Sequence, residues 1–525
     1  MPYIHPWRRL LPRLVVACTF AGWPAPLWAA PYDGKLTITT LDEKSREPLA
    51  VRMELRDGRG RPVRVRPEGA VAVGDSLYFD GEVTLPLRRG AYTFLIEAGP
   101  EFITRPGNFT IDRRAEDSTE VTLGRRVDMR AEGWWAGDLD LLASPADLPL
   151  MMRSRSLDFA PYTTLVNEDG RCRKAKLGAG ESESAVAPIF GPWAVLDNRR
   201  GGGLLAIAAD APINVCGWKA DEPSLPMAIA SREAGGRVVA LTPDAWDLPL
   251  WVAAGKLDAV AIINRHSLAS AVVDGEANGR PRDKDLFPGH IGNGRYGESI
   301  YHHLLNCGLR LPPAAGSGFG AIGKRGSRPS PDQSWSGLLG ANRAYVHCGE
   351  TCDRDAWLAA LKAGRVIVTN GPLLRTSIDG EPPGHVFELQ AGERREFQIA
   401  LDLAFYAETQ VEYLEIVQNG RTLHQVRLDE LAANKGRLPF VEFDDSGWFL
   451  VRAVTNNPKV YQFASTGPYY VEQDYKQRIS RASVQYFLDW LDDAAKQFAA
   501  NAAVVSEIEA ARPFWEGLLA KANAQ

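Results

Sequence analysis

The residues of this chain that could do chemistry are few and scattered. His302 and His303 are adjacent in a stretch with helical spacing, so their side chains point about 100° apart and do not converge on one ion. His290 sits in a Gly-rich loop, and His347 follows the apolar run "RAYV". Asn264, Arg265 and Asn370 stand at the ends of the apolar runs "DAVAIIN" and "RVIVTN", and strand ends are where α/β folds place their sites. Trp134, Trp135, Trp193, Trp218, Trp246 and Trp251 crowd the same part of the chain. They could stack on a sugar or an aryl group, although large aromatics more often fill cores. Trp135, Asn264, Arg265 and Asn370 are therefore the ligand-binding candidates. Arg265 would supply charge and tryptophan the stacking surface, for a neutral or anionic ligand with a flat apolar part. There is no G-x-S-x-G elbow and no G-x-x-x-x-G-K-[ST] phosphate cradle. "GSGFGAIG" resembles a dinucleotide loop but follows two prolines and no strand.

The elements that must position these residues change along the chain. From 30 to 130, "KLTITTL", "VRMELRD", "GEVTLPL" and "AYTFLIEA" alternate apolar and polar residues between Gly- and Pro-containing joints. That pattern predicts an antiparallel β-sandwich. From 131 to 375, unbroken apolar runs such as "GLLAIAA" and "RVVALT" predict strands buried on both faces, as in parallel sheets, with helices between some of them. Asp353 is placed to cap the helix "RDAWLAALKAG", and Gly364 to end it. A second β region spans 376–470, where "VEYLEIVQNGRTLHQV" predicts a hairpin turning at Asn419-Gly420. Residues 471–525 are helical, with Val484, Phe487, Leu488, Leu491, Ala495 and Phe498 on one apolar face.

Composition narrows the classes. The chain has 525 residues, 45% apolar and 24% charged, with a net charge of −5 and an isoelectric point near 6.0. This is an ordinary globular composition with no electrostatic reason to bind nucleic acid. The basic run "RDGRGRPVRVRP" at 56–67 reads as a solvated strand edge. Arg8, Arg9 and Arg13 lead into "LVVACTFAGWPAPLWAA", a pattern that predicts a signal peptide over 1–29, a mature chain starting near Ala30, and an extracytoplasmic (periplasmic or secreted) location. An uncleaved anchor, a lipidated Cys18 and twin-arginine export are the alternatives. No later stretch is long and apolar enough to span a bilayer. Cys172, Cys216, Cys307, Cys348 and Cys352 remain, an odd number. Within "CGETC" a Cys348–Cys352 disulfide is expected ahead of two free thiols.

The segments "GWWAGDLDLL", "WDLPLWVAAGKLDAVAIINRH", "GNGRYGESIYHHLLNCGLRLPPAAGSGFG", "WLAALKAGRVIVTNGPLL" and "GWFLVRAVTNNPKVYQFASTGPYYVE" resemble, in order, parts of PHP-domain metallohydrolases of the carbaryl-hydrolase-like (CehA/McbA) branch. The resemblance runs from about 130 to the end. It implies a distorted β/α barrel with a C-terminal β domain beside it, and with the strand and helix patterns above this gives a multidomain α/β plus β protein: a PHP-like distorted β/α barrel flanked by two antiparallel β-sandwich-like domains, with C-terminal helices. It also implies a cluster of divalent metals that activates water by lowering its pKa. The family's opening motif, Gly-Asp-Leu-His-x-His, is matched by Gly137-Asp138-Leu139, but Asp140 and Leu142 stand where the histidines would be. These two positions project to one strand face, and leucine offers no donor. The family's Gly-Ser-Asp-x-His element falls on Gly316-Ser317-Gly318-Phe319, and its ligand position before "WDLP" falls near Thr242-Pro243; neither supplies a ligand. His266 matches the histidine of the Asn-x-His element. The resemblance thus leaves Asp140 and His266 as metal candidates, two ligands where catalytic sites commonly use three. A tightly bound cofactor is not expected, at most one weakly held divalent metal.

Three readings compete. The first is an exported ligand-binding pseudoenzyme that has lost its cluster and takes a small molecule or carbohydrate. The second is an active hydrolase of ester or phosphoester bonds with a reduced site built on Asp140 and His266. The third is a structural envelope protein. Whether the chain is an enzyme turns on whether Asp140 and His266 reach a common point.

Overall fold

A computed structural model describes residues 32–174, 178–182, 188–211, 213–267, 278–320, 338–405 and 410–525. The expected signal segment and Cys18 lie outside them. Strands dominate over helices. The N-terminal β region is a sandwich. Gly34–Asp42 runs between Glu82–Leu87, antiparallel, and Glu116–Leu123, parallel. A second sheet is ordered Ala70–Val73, Ser76–Asp80, Ala50–Asp57, Gly90–Glu97, Arg105–Ile111. Alternation places Leu36, Ile38, Met53, Leu55, Phe79, Leu85 and Ile96 in one core between the two sheets.

Next comes a sixteen-stranded mixed sheet, in which Arg171–Lys174, Val386–Leu389 and Tyr469–Gln473 lie off a path of thirteen strands. Its path runs Pro313–Ala315, Ala259–Ile263, Arg237–Ala240, Leu204–Ile207, Ile189–Asn198, Phe159–Glu168, Trp134–Gly137. It continues through Arg343–His347, Val366–Thr369, Phe463–Thr466, Gly447–Thr455, Val411–Gln418 and Arg421–Arg427. The expected PHP-like distorted β/α barrel is corrected here: the strand path is open and no ladder closes it among the described residues. Two physical reasons account for this. Val366–Thr369 spends its second edge on Phe463–Thr466, antiparallel, so the sheet passes on into the C-terminal β region. At the other end, Pro313–Ala315 and the residues after it meet the backbone beyond Trp134–Gly137 only through the Leu139 N–H to Ala315 carbonyl bond at 3.2 Å and an isolated bridge between Leu141 and Phe319, not through a ladder. The run of β/α units is also interrupted, because Ile189–Asn198, Leu204–Ile207 and Arg237–Ala240 are neighbours in antiparallel order.

The apolar runs are continuous because the sheet is covered on both faces. Trp135 belongs to one core, whereas Trp134 and Ala136 belong to another on the opposite face. On that second face the pairs Leu373–Ser377 with Ala400–Ala404 and Arg395–Phe397 with Val441–Phe443 add a sandwich-like layer around Phe387, Phe397, Phe443 and Phe449. The hairpin turns at Asn419 and Gly420, with φ of 51° and 82°. Asp353 caps helix Arg354–Lys362 by accepting the Ala356 N–H at 2.8 Å. The C-terminal helices Arg481–Gln497 and Ala502–Ala520 dock on the first core through Phe487, Leu491 and Trp515. The Trp490 and Trp515 indoles donate to the Trp246 and Pro249 carbonyls at 3.2 Å each. No helix among the described residues is long and apolar enough to cross a membrane.

The disulfide also differs from expectation. Cys172 is bonded to Cys216, 44 residues away with Cα atoms 5.1 Å apart, whereas Cys348 and Cys352 are free. Contact with the Cys348 thiol, then burial, pushes the Cys352 thiol pKa upward.

Candidate functional site

The site begins where strand Trp134–Gly137 ends. The next residue, Asp138, is buried and accepts three backbone N–H groups: Asp140 at 3.2 Å, Ser317 at 2.9 Å and Gly340 at 2.8 Å. Burial outweighs these bonds and pushes its pKa up to about 6. One carboxylate thereby ties its own turn to two distant ones, at Ser317 and Gly340. The following residues hydrogen-bond to the segment beyond Pro313–Ala315: Phe319 N–H donates to the Asp140 carbonyl at 2.9 Å, and Leu142 N–H to the Phe319 carbonyl at 2.7 Å. That approach requires glycine at 316, where a Cβ would lie 2.5 Å from the Asp140 Cβ.

Asp140 is thereby aimed at Arg265. The guanidinium donates from Nη2 to Oδ1 at 2.9 Å and to Oδ2 at 2.7 Å, and from Nε to Oδ2 at 3.1 Å. The Asp140 side chain is 2% exposed and that of Arg265 29%. Such a pair is charge-assisted and geometrically specific. It decides the fit of a metal cluster. Both Asp140 oxygens already accept from a cation, Leu142 packs against the first core, and no three His, Cys, Asp or Glu side chains among the described residues converge as ligands. This donor set does not fit a cluster of divalent metals. A dication at Asp140 would have to displace Arg265.

The other sequence candidates separate. His266 and Asn264 line a cleft of about 320 Å³ at the end of strand Ala259–Ile263. The Asn264 side chain is occupied with its own turn, accepting the His266 N–H at 2.9 Å and donating to the Ala261 carbonyl at 3.0 Å. Trp135 is buried beneath the Arg130 guanidinium and donates to the Gly349 carbonyl at 3.0 Å, so it presents no face to a ligand. Asn370 clips two strands together, bonding the Tyr461 carbonyl at 2.9 Å and the Phe463 N–H at 2.8 Å, away from the cleft. Trp134, Trp246 and Trp251 are buried, while Trp193 and Trp218 pack against Phe159 and Arg199.

Sequence reading missed the residues that give the cleft its charge. Among the described residues, Arg280, Arg282 and Lys284 line it with one carboxylate, Asp244, beside Asn293 and Tyr296. Arg280 lies 5.0 Å from each of the Tyr486 and Trp490 rings and donates to Asp493 at 2.8 Å. Arg282 is held by the Phe287 carbonyl at 2.8 Å. The signal was present as "GRPRDKD" at 279–285, a basic run just before a helix, but only the fold brings it against Asn264 and His266.

Neither the comparison with protein-family models nor that with curated proteins matches this chain. Among solved structures, one described as the crystal structure of Dscam1 isoform 8.4, N-terminal four Ig domains, aligns at 7% identity over 85% of this chain and 98% of that one. Its TM-score of 0.12 carries no argument.

Proposed function

We propose that this chain is a ligand-binding protein whose strand-end cleft takes a small anionic molecule, and that Arg265 supplies at Asp140 the positive charge that a metal would otherwise bring. The observation that carries this reading is the lining of the cleft, where among the described residues three cationic side chains, Arg280, Arg282 and Lys284, stand with one carboxylate, Asp244. Cationic walls in a concave, partly desolvated site attract and hold anions. Pro243, Ile262, Pro281 and Tyr296 add an apolar wall suited to a flat ring. Arg265 is committed to Asp140 and Arg280 is paired with Asp493, so the positive charge offered to an anion is that of the lining set Arg280, Arg282 and Lys284 taken together rather than of the one residue favoured by sequence.

We place the protein outside the cytoplasm, a reading supported by the arginine-led N-terminal segment and by the Cys172–Cys216 disulfide, which suits an oxidising compartment. Calorimetric titration with aryl carboxylates, sugar acids and phosphate esters tests the binding claim. Lys284→Glu, at an exposed position, is expected to weaken the tightest of these about tenfold or more. Anion affinity unchanged by Lys284→Glu contradicts the reading. So does hydrolysis of any of these ligands that depends on Asp140.

A further inference from the structure

A second cavity lies on the other side of helix Ile291–Asn306, between that helix and the hairpin of Val411–Gln418 and Arg421–Arg427. A helix normally lays its apolar stripe on a sheet. This one buries Tyr296, Ile300 and Leu304 on one side and turns Arg295, Ser299, His302 and Asn306 towards the hairpin. The strand face opposite is polar too, with Tyr413 and Glu415, and the two polar faces leave a groove of about 480 Å³. That is within the roughly 300–1,000 Å³ typical of small-molecule sites.

The charges in the groove balance internally. Arg452 donates from Nη1 to both Glu298 oxygens at 2.9 Å and from Nε to Glu415 at 2.8 Å, and the Tyr461 hydroxyl donates to Glu298 at 2.5 Å. Arg295, with its guanidinium 5.7 Å from the Tyr461 ring, is the second cation against the two carboxylates. The neutral groups are not consumed in this way. The side chains of Ser299, His302, Tyr413, Thr422 and Gln425 make no hydrogen bond to protein among the described residues. Burial, reinforced by Arg452 and His303, pushes the His302 pKa down to about 3, so its imidazole is neutral and offers one donor and one acceptor. Hydroxyls, an amide and a neutral imidazole around a charge-balanced cavity match the alternating donors and acceptors of a polyol. The Tyr413 ring supplies a surface for C–H groups.

We propose that this groove is a second binding site, distinct from the anionic cleft, for a neutral polyhydroxylated ligand of monosaccharide size. Saturation-transfer NMR and calorimetry on the full chain test it, using glucose, galactose, mannose and N-acetylglucosamine, with glucuronate and glucosamine as charged counterparts. At least one neutral sugar is expected to saturate, with its charged counterparts about tenfold weaker or worse. Thr422→Val combined with Gln425→Leu, both exposed hairpin positions, should lower its affinity about tenfold or more with an unchanged melting midpoint. Ser299→Ala should weaken it without touching the hairpin. Lys284→Glu, in the other cleft, should leave sugar affinity unchanged, which separates this site from the anionic one. No saturation by any neutral sugar, a preference for glucuronate, or affinity indifferent to both groove variants overturns the proposal.

Discussion

Two aspartate–arginine pairs sit at strand ends of the same sheet, and they are built for different ends. Arg199 meets Asp197 at 2.8 and 2.6 Å and spends its remaining donors on the Lys219, Glu222 and Pro223 carbonyls at 2.7, 3.1 and 3.2 Å. Both side chains are 0% exposed. This pair is a sealed staple that pins the 219–223 turn. Arg265 makes an equally close contact with Asp140 but remains partly exposed, flanked in sequence by the cleft residues Asn264 and His266. The chemistry of the two pairs is the same. What differs is exposure: the Arg199 guanidinium is sealed among carbonyls, whereas solvent still reaches that of Arg265.

The sealed pair should be the costlier to break. Asp197→Ala leaves Arg199 buried and uncompensated, and denaturant unfolding is expected to show a loss of about 3–5 kcal/mol. The same segment is also held by the disulfide at Cys216 and by Asn167, which donates to the Val215 and Trp218 carbonyls at 2.6 and 2.9 Å. Replacing Cys172 and Cys216 by serine should cost about 2–4 kcal/mol. A negligible loss would mean that Arg199 and Asn167 hold the turn without the disulfide.

Arg265→Ala should cost less, about 1–3 kcal/mol, because water can enter to solvate Asp140. Combining it with Asp140→Ala should recover part of that loss in a double-mutant cycle. If Arg265→Ala proves as damaging as Asp197→Ala, the two pairs do not differ as described.

The most gradual effect is set by pH. Burial pushes His302 down to about 3 and His303 down to about 4, against 6.5 for the free side chain. Both folded-state values are depressed, so their contribution to stability is present above pH 6.5 and falls as pH drops towards the folded values. The unfolded chain takes up the protons first. The slope is at most about 1.4 kcal/mol per pH unit for each imidazole. His302→Asn should flatten the acid limb of a stability–pH curve while leaving the Asp140 pair intact.

Much of the fold was legible where one face of a strand is wet. The alternation in "KLTITTL" announces the sandwich, and Asn419-Gly420 and Asp353 mark their turn and cap because positive φ and a free N–H demand particular residues. The central sheet was misread for a physical reason. Runs such as "GLLAIAA" report burial on both faces, and burial says nothing about strand direction. Leu204–Ile207 runs antiparallel to both neighbours yet reads like a parallel strand. Leu142 announced at once that it cannot ligate. The partner that takes Asp140 lies 125 residues away, and no local pattern marks so distant a contact. The basic lining at 280–284 was missed for the same reason, and so was the pairing of Cys172 with Cys216.

The most direct test of the central claim is elemental analysis of the purified full chain and of its Arg265→Ala variant after equilibration with Zn²⁺, Mn²⁺ and Mg²⁺ and removal of free metal. If the guanidinium is the cation of this site, the unmodified chain retains no stoichiometric metal. The variant, with its Asp140 carboxylate released, retains more than the unmodified chain does. Two or more stoichiometric metals in the unmodified chain, lost on Asp140→Ala and indifferent to Arg265→Ala, would contradict it.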